Sequence, residues 1–240
     1  MKRCLPVTNR ITVTGMLMLA VMLHAGIAAG WHDETHLAVA KVAGYYKWYN
    51  AVGADMAKIK ADRIERNNHY FNNTNRVEVT PRMVFEQARR YNDPKDTEGH
   101  LYGAIVASLR EYKKTKLVGK YAEYHLAFCA HYVGDLSQPL HNYPYDDFNK
   151  IHHSANDGVV EKEVLQNISK IEKYMYPIRL RPQYFERDLA REISRIANIS
   201  RKLAYKLQKE GRDMTKGEAY RQLGHSASLL KAILKEGQSP

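Results

Sequence analysis

The recurrence of apolar side chains every 3.6 residues towards the C-terminus constrains this chain more than any other feature. From 182 to 209 the series Phe185, Leu189, Ile193, Ile196, Leu203, Leu207 keeps a helical period. Nowhere does the sequence alternate apolar and polar residues long enough to suggest a strand, and there is no internal repeat or low-complexity tract. Thr35 to about Val52 reads as a helix with Val39, Val42, Tyr46 and Tyr49 on one stripe. Thr80-Pro81 is a helix start, a capping hydroxyl followed by proline at the first helical position. Segment 120–136 places Tyr124, Phe128, His131 and Asp135 along one face. Thr215 and Glu218 form a capping box for a last helix carrying Tyr220, Leu223, Ala227, Leu230 and Leu234. The expectation is an all-α, single-domain bundle of six to eight helices, with 53–79 and 137–152 as polar, aromatic loops long enough to carry function.

The N-terminus carries a different signal. Lys2, Arg3 and Arg10 precede an apolar run from Ile11 to Leu23, and Ala28-Ala29-Gly30 is a small-residue cleavage site. Residues 1–30 therefore read as a secretory signal peptide, with a domain over 31–240 and a secreted or periplasmic destination. No run of the mature chain approaches the ~20 apolar residues of a membrane span. Cys4 leaves with the signal, so Cys129 is the one remaining thiol and no intramolecular disulfide is available. Cys129 sits in the apolar stretch Leu126 to Ala130, which reads as a buried small residue rather than a nucleophile. The full chain has a formal charge of +11; removing three basic residues and no acidic ones leaves +8. That balance suits polyanionic partners, nucleic acid or an anionic membrane surface, although simple solubility explains it equally well.

Chemistry concentrates in one segment, His131-Tyr-Val-Gly-Asp135-Leu-Ser-Gln-Pro-Leu-His141. His131 and Asp135 are i and i+4, so a helix stacks imidazole and carboxylate on one face. Pro139 ends that helix and turns His141 back towards the same side. His153 and Asp157 then repeat the i, i+4 pairing. Imidazole and carboxylate are zinc ligands, and helices of a bundle aim them inward. One such pair arises by chance on solvated faces; two pairs with a proline-set histidine between them are much harder to produce by accident. Cleavage after Gly30 would also free an amino group on Trp31, beside its own carbonyl and five residues before His36. His32, His100, His125 and His225 have no partner at ligand spacing and read as surface or satisfied core histidines.

These residues resemble the zinc-dependent phospholipase C/S1-P1 nuclease superfamily, from Trp31 to the C-terminal helix, with HYVGDLSQPLH as the most specific motif. The resemblance implies an all-α fold and three Zn2+ ions held by nine residues. Trp31 is similar to the terminal residue that chelates through amino and carbonyl groups, beside His36. Asp55 and His69 resemble the aspartate and histidine that precede the central helix, with Asp62 as a competitor for Asp55. His131 and Asp135 match the central pair, Asp135 bridging two metals. His141, His153 and Asp157 resemble the ligands of the remaining zinc, with His152 competing with His153 and Glu161 with Asp157. Asp55 is also implied as the residue that orients or deprotonates the attacking water.

The implied activity is phosphodiester hydrolysis, because paired zinc ions neutralise phosphoryl oxygens and bring the pKa of bound water to ~7. No Gly-rich phosphate loop or dinucleotide fingerprint is present. The short interval from His141 to His153, the His153-Ser154 pair and Glu34 resemble the phospholipase C branch. The five-residue step from Trp31 to His36, and an aspartate at 157, resemble the P1 nuclease branch that cleaves single-stranded nucleic acid. Met56 stands where choline-binding phospholipases have an aromatic. The balance favours a phospholipid headgroup phosphodiester. A non-catalytic, metal-stabilised binding module is the reading from a different class, and it predicts closed coordination shells and no open cleft.

Overall fold

A computed structural model describes residues 31–61, 63–117 and 121–237. Ten α-helices run through them, and no strand occurs among the described residues. They are α1 (Asp33–Val42), α2 (Gly53–Ala61), α3 (Arg63–Arg66), α4 (Pro81–Ala88), α5 (Leu101–Lys116), α6 (Ala122–Leu136), α7 (Asp147–Asp157), α8 (Ile168–Glu172), α9 (Phe185–Glu210) and α10 (Lys216–Gly237). The count exceeds the expected six to eight because short helices fill segments that read as loops. Residues 53–79 contain α2 and α3, and 137–152 contain a 3-10 turn at Pro139–Asn142 and most of α7. None of these helices has the length and apolarity needed to cross a membrane.

Local chemistry sets the ends. The Thr80 hydroxyl accepts from Met83 N at the start of α4. Asp146 caps α7 by accepting from Asn149 N at 3.0 Å. Thr215 and Glu218 make the reciprocal pair of the capping box, at 3.2 and 2.9 Å. Helix α9 ends at Gly211, whose φ of +59° places it in the left-handed region that glycine adopts without cost. The first helix stops at Val42, ten residues short of the expected end. Gly44 turns the chain at φ +85°, and only a short 3-10 segment follows at Trp48–Asn50. Tyr46 and Tyr49 consequently lie outside the core, 61% and 57% exposed, rather than on a buried stripe.

One contiguous apolar cluster joins α1, α4, α5, α6, α9 and α10, including Leu101, Ile105, Val133, Leu136, Leu189, Ile193, Leu223 and Leu230. α5 lies against both α4 and α6. At the α4–α5 crossing a Cβ on Gly103 would stand 2.1 Å from Ala88 N, so only glycine permits that approach. Helix α6 is buried from Leu126 to Leu136, with Cys129 fully inside. A helix surrounded on every side cannot leave polar groups unsatisfied without large cost. His131 and Asp135 lie on it, both 0% exposed.

Candidate metal centre

Three groups of carboxylate and imidazole ligand atoms converge around α6, each with its atoms within 4.8 Å of one another and each able to hold a metal ion. The first is His36, His131 and Asp135; the second Asp55, His69 and His131; the third His141, His153 and Asp157. His131 belongs to two groups, and Asp135 lies between all three. Its Oδ1 is 3.4 Å from His36 Nε2 and 3.5 Å from His141 Nδ1, and its Oδ2 is 2.8 Å from His69 Nδ1. The i, i+4 geometry of α6 puts His131 Nε2 3.3 Å from Asp135 Oδ2, and that of α7 puts His153 Nε2 3.4 Å from Asp157 Oδ2.

Tertiary contacts choose which ring nitrogen faces inward. His131 Nδ1 donates to the Ala51 carbonyl at 2.7 Å, His153 Nδ1 to Asn149 Oδ1 at 2.6 Å, and His69 Nε2 to Glu65 Oε1 at 3.2 Å. The opposite nitrogens, His131 Nε2, His153 Nε2 and His69 Nδ1, face the cavity. There His69 Nδ1 meets Asp135 Oδ2 at 2.8 Å, and His153 Nε2 meets His141 Nε2 at 3.2 Å. His36 Nδ1 and Nε2, His141 Nδ1 and Asp135 Oδ1 are buried with no hydrogen-bond partner. An unsatisfied buried polar atom costs about 1–3 kcal/mol. Imidazole nitrogens and carboxylate oxygens crowded together in this way are a donor set that fits cations.

The electrostatics follow the same crowding. Burial alone would raise the Asp135 pKa, but the adjacent His131 and His141 rings outweigh it and hold the carboxyl well below the usual carboxylate range. Burial likewise works against ionisation of Asp55, yet His131, Lys58 and His69 keep it ionised. His141 is depressed to about 3 by burial and by the neighbouring His153. Asp157 is pushed up by burial, against a hydrogen bond from the Gln138 amide.

The structure separates residues that the sequence left in competition. Glu161 stands outside the three groups: its carboxylate caps α1, accepting from Glu34 N at 2.8 Å, Thr35 N at 3.1 Å and the Thr35 hydroxyl at 2.7 Å. Asp157 takes the place in the third group. His152 points away to Asp213 at 2.7 Å. Asp62 lies outside the described residues, and Asp55 is the carboxylate of the second group. Trp31 is fully buried, and the next residue places its N–H 3.5 Å from the Asp157 carbonyl, so the segment ahead of α1 lies against the third group. The expected cleavage at Gly30 falls on residues outside the described ones. His100 is a satisfied core histidine, held by Asp96 at 2.9 Å and Asn68 at 2.8 Å.

Sequence reasoning missed the supporting shell, because carbonyls and amides carry no spacing signature. It also missed Lys58, whose Nζ stands 2.5 Å from Asp55 Oδ1 with its side chain 7% exposed. A cleft of about 230 Å³ opens beside the centre, reaching His69, His141 and His153 and walled by Arg66, Tyr70 and Tyr145. No carboxylate among the described residues lines it. The chain matches no family model, no curated protein and no solved structure.

Proposed function

We propose that this protein is an exported, zinc-dependent phosphodiesterase acting on phospholipid headgroup phosphodiesters. The observation that carries the reading is the convergence of eight imidazole and carboxylate side chains around Asp135, in three adjoining groups beside an open cleft. A closed structural site would satisfy its ligands and leave no room for substrate; the adjoining cleft favours catalysis over a binding module. The eight residues His36, Asp55, His69, His131, Asp135, His141, His153 and Asp157 would hold zinc, with the processed amino end of Trp31 as the ninth.

When bound, zinc supplies positive charge for the phosphoryl oxygens and acidifies water. The chain's own residues do the rest. Asp55, ionised and only 17% exposed, is the residue that orients the attacking water. The Ala51 carbonyl, Asn149 and Glu65 lock the imidazoles in one tautomer, so the ligand set needs no rearrangement on loading. Arg66 lines the cleft, and a guanidinium there is suited to a phosphate oxygen. Leu140, Tyr143 and Tyr145 give the cleft apolar faces.

A second reading, an S1/P1-type nuclease for single-stranded nucleic acid, is favoured by one feature: Tyr145, half-exposed in the cleft wall, offers a stacking face to a base. The discriminating experiment assays purified, zinc-supplemented protein on phosphatidylcholine, anionic phospholipids and single-stranded DNA side by side, with a carboxylic ester as control. Phospholipid cleavage that a strong chelator abolishes and zinc restores is expected. DNA cleavage alone would favour the nuclease reading. Phosphodiesterase activity that survives both metal stripping and Asp135→Asn would place the chemistry elsewhere.

A further inference from the structure

Apolar side chains that face solvent are not spread evenly over this protein. Among the described residues, Tyr46, Tyr49, Leu117, Tyr121 and Tyr124 are 53–90% exposed. All five belong to the turn after α1, the end of α5 or the start of α6. Those stretches adjoin. Lys47 Nζ stands 3.8 Å from Glu123 Oε2, and Tyr46, Lys113, Lys116 and Glu123 line one concavity of about 240 Å³. Leu117, Tyr121 and Tyr124 each lie within two residues of that lining in the chain. Single apolar residues are ordinary on a surface, but a group of them in one place marks a contact site.

The same face is basic. Over the described residues of 41–49 and 111–124, five lysines stand against two carboxylates, Glu111 and Glu123. Glu111 pairs with Lys114 at 3.6 Å and Glu123 with Lys47 at 3.8 Å, which leaves an excess of positive charge carried by Lys41, Lys113 and Lys116. Four of the lysines place their ammonium groups by an aromatic ring. Lys41 lies 5.0 Å over Trp48, Lys47 5.0 Å over Tyr46, Lys113 4.0 Å over Phe185 and Lys116 6.0 Å from Tyr112.

This interleaving chooses between two kinds of polyanion. Single-stranded nucleic acid stacks its bases on open ring faces, and ammonium groups already lie over Trp48 and Tyr46. Leu117, the most exposed of the five, gives a base nothing to stack on. A bilayer surface suits both features. Tyrosine and tryptophan settle at the headgroup level, an aliphatic side chain enters the acyl boundary, and lysines meet anionic headgroups.

We propose that this face docks on an anionic phospholipid bilayer, with Leu117 and the exposed tyrosines entering the interface and the lysines meeting lipid phosphates. It shares no residue with the lining of the metal-centre cleft, and Glu123 precedes His131 by eight residues, about 12 Å along α6. Docking therefore goes beyond the proposed reaction and requires neither zinc nor turnover.

The test is co-sedimentation of the Asp55→Asn protein, which spares the lipid from turnover, with two kinds of vesicle. One is phosphatidylcholine alone, and the other contains about 30% phosphatidylglycerol. Binding to the anionic vesicles should be about tenfold tighter or more at low salt, and should weaken as salt rises. Lys113→Gln combined with Lys116→Gln should weaken it about tenfold. Leu117→Ser combined with Tyr121→Ser should do the same with an unchanged melting temperature, since both side chains are exposed. Ile151→Ser, at a comparably exposed apolar residue on α7, is the control and should leave binding intact. No binding to anionic vesicles, equal binding to both kinds, or binding that both double variants retain would overturn the assignment. So would an equal loss in Ile151→Ser, or retention on single-stranded DNA without retention on vesicles. None of these outcomes depends on whether the wild-type protein cleaves a phosphodiester, so docking and the proposed reaction fail separately.

Discussion

Gly134→Ala tests whether His36 is a metal ligand without removing any ligand. Gly134 is one residue before Asp135 on α6, and a Cβ there would stand 2.5 Å from His36 Nδ1 and 2.8 Å from its Cε1. To reach ordinary contact at 3.4 Å the ring must recede by about 0.9 Å. It has nowhere to go, being 1% exposed and stacked on the His131 ring at 3.7 Å. Two costs follow, of different kinds. Overpacking a core position costs about 1–3 kcal/mol, and alanine in place of a helical glycine returns about 1 kcal/mol. The metal-free protein should therefore lose only ~0–2 kcal/mol, a fall in Tm of a few degrees for a domain of this size. Zinc ligation tolerates only ~0.2 Å of displacement, so zinc affinity should fall about tenfold to a hundredfold. The assay pairs thermal melts of stripped protein with competitive titration against a chromophoric chelator. Gly217→Ala, where a Cβ meets nothing within 4 Å, is the control and should leave zinc affinity unchanged. Wild-type zinc affinity in Gly134→Ala would refute the assignment of His36.

Four further outcomes are expected. Asp135→Asn should cost more activity than loss of any outer ligand because Asp135 touches all three groups, whereas Asp55→Asn should lower kcat more than it raises KM; steady-state kinetics on one phosphodiester decides both. Lys58→Met removes an ammonium 2.5 Å from Asp55 and should raise zinc affinity at the second group several-fold; an unchanged or lower affinity by competitive titration would show that the lysine positions the carboxylate instead. A mature protein begun one residue early, with Gly30 ahead of Trp31, should lose zinc and activity together, and full metal content by elemental analysis would remove Trp31 from the ligand set. His225 is depressed to about 4 by burial and by Arg195 and Arg221, and accepts from the Tyr176 hydroxyl at 2.9 Å. Below pH ~6.5 the unfolded chain takes up a proton that the folded chain refuses until about pH 4, so stability falls across that window as pH drops and is complete above it. His225→Gln should flatten that limb in denaturant titrations at pH 4.5, 5.5 and 7.

The sequence alone determined the helical class and the pairing of ligands within single helices. A 3.6-residue period in α9 and the i, i+4 spacing of His131 with Asp135 and His153 with Asp157 are local geometry, and local geometry is written in spacing. Caps were legible for the same reason: Thr80-Pro81 and Thr215-Glu218 act within one turn. The end of α1 was harder to place. The apolar stripe continues through Tyr46 and Tyr49, and the positive φ at Gly44 that breaks it reflects where the following turn must pack. Tertiary structure also decided the competitions. Asp157 and Glu161 are both one turn from a plausible partner, and only the approach of α1 shows Glu161 spent on capping Glu34 and Thr35, 127 and 126 residues away in sequence. The tautomers belong to the same class. Whether His131 offers Nδ1 or Nε2 depends on a carbonyl 80 residues distant, Ala51, and no spacing rule encodes a backbone acceptor that any residue would supply. Side-chain type is local information, whereas the direction in which a lone pair points is settled by whatever the rest of the chain brings to the other side of the ring.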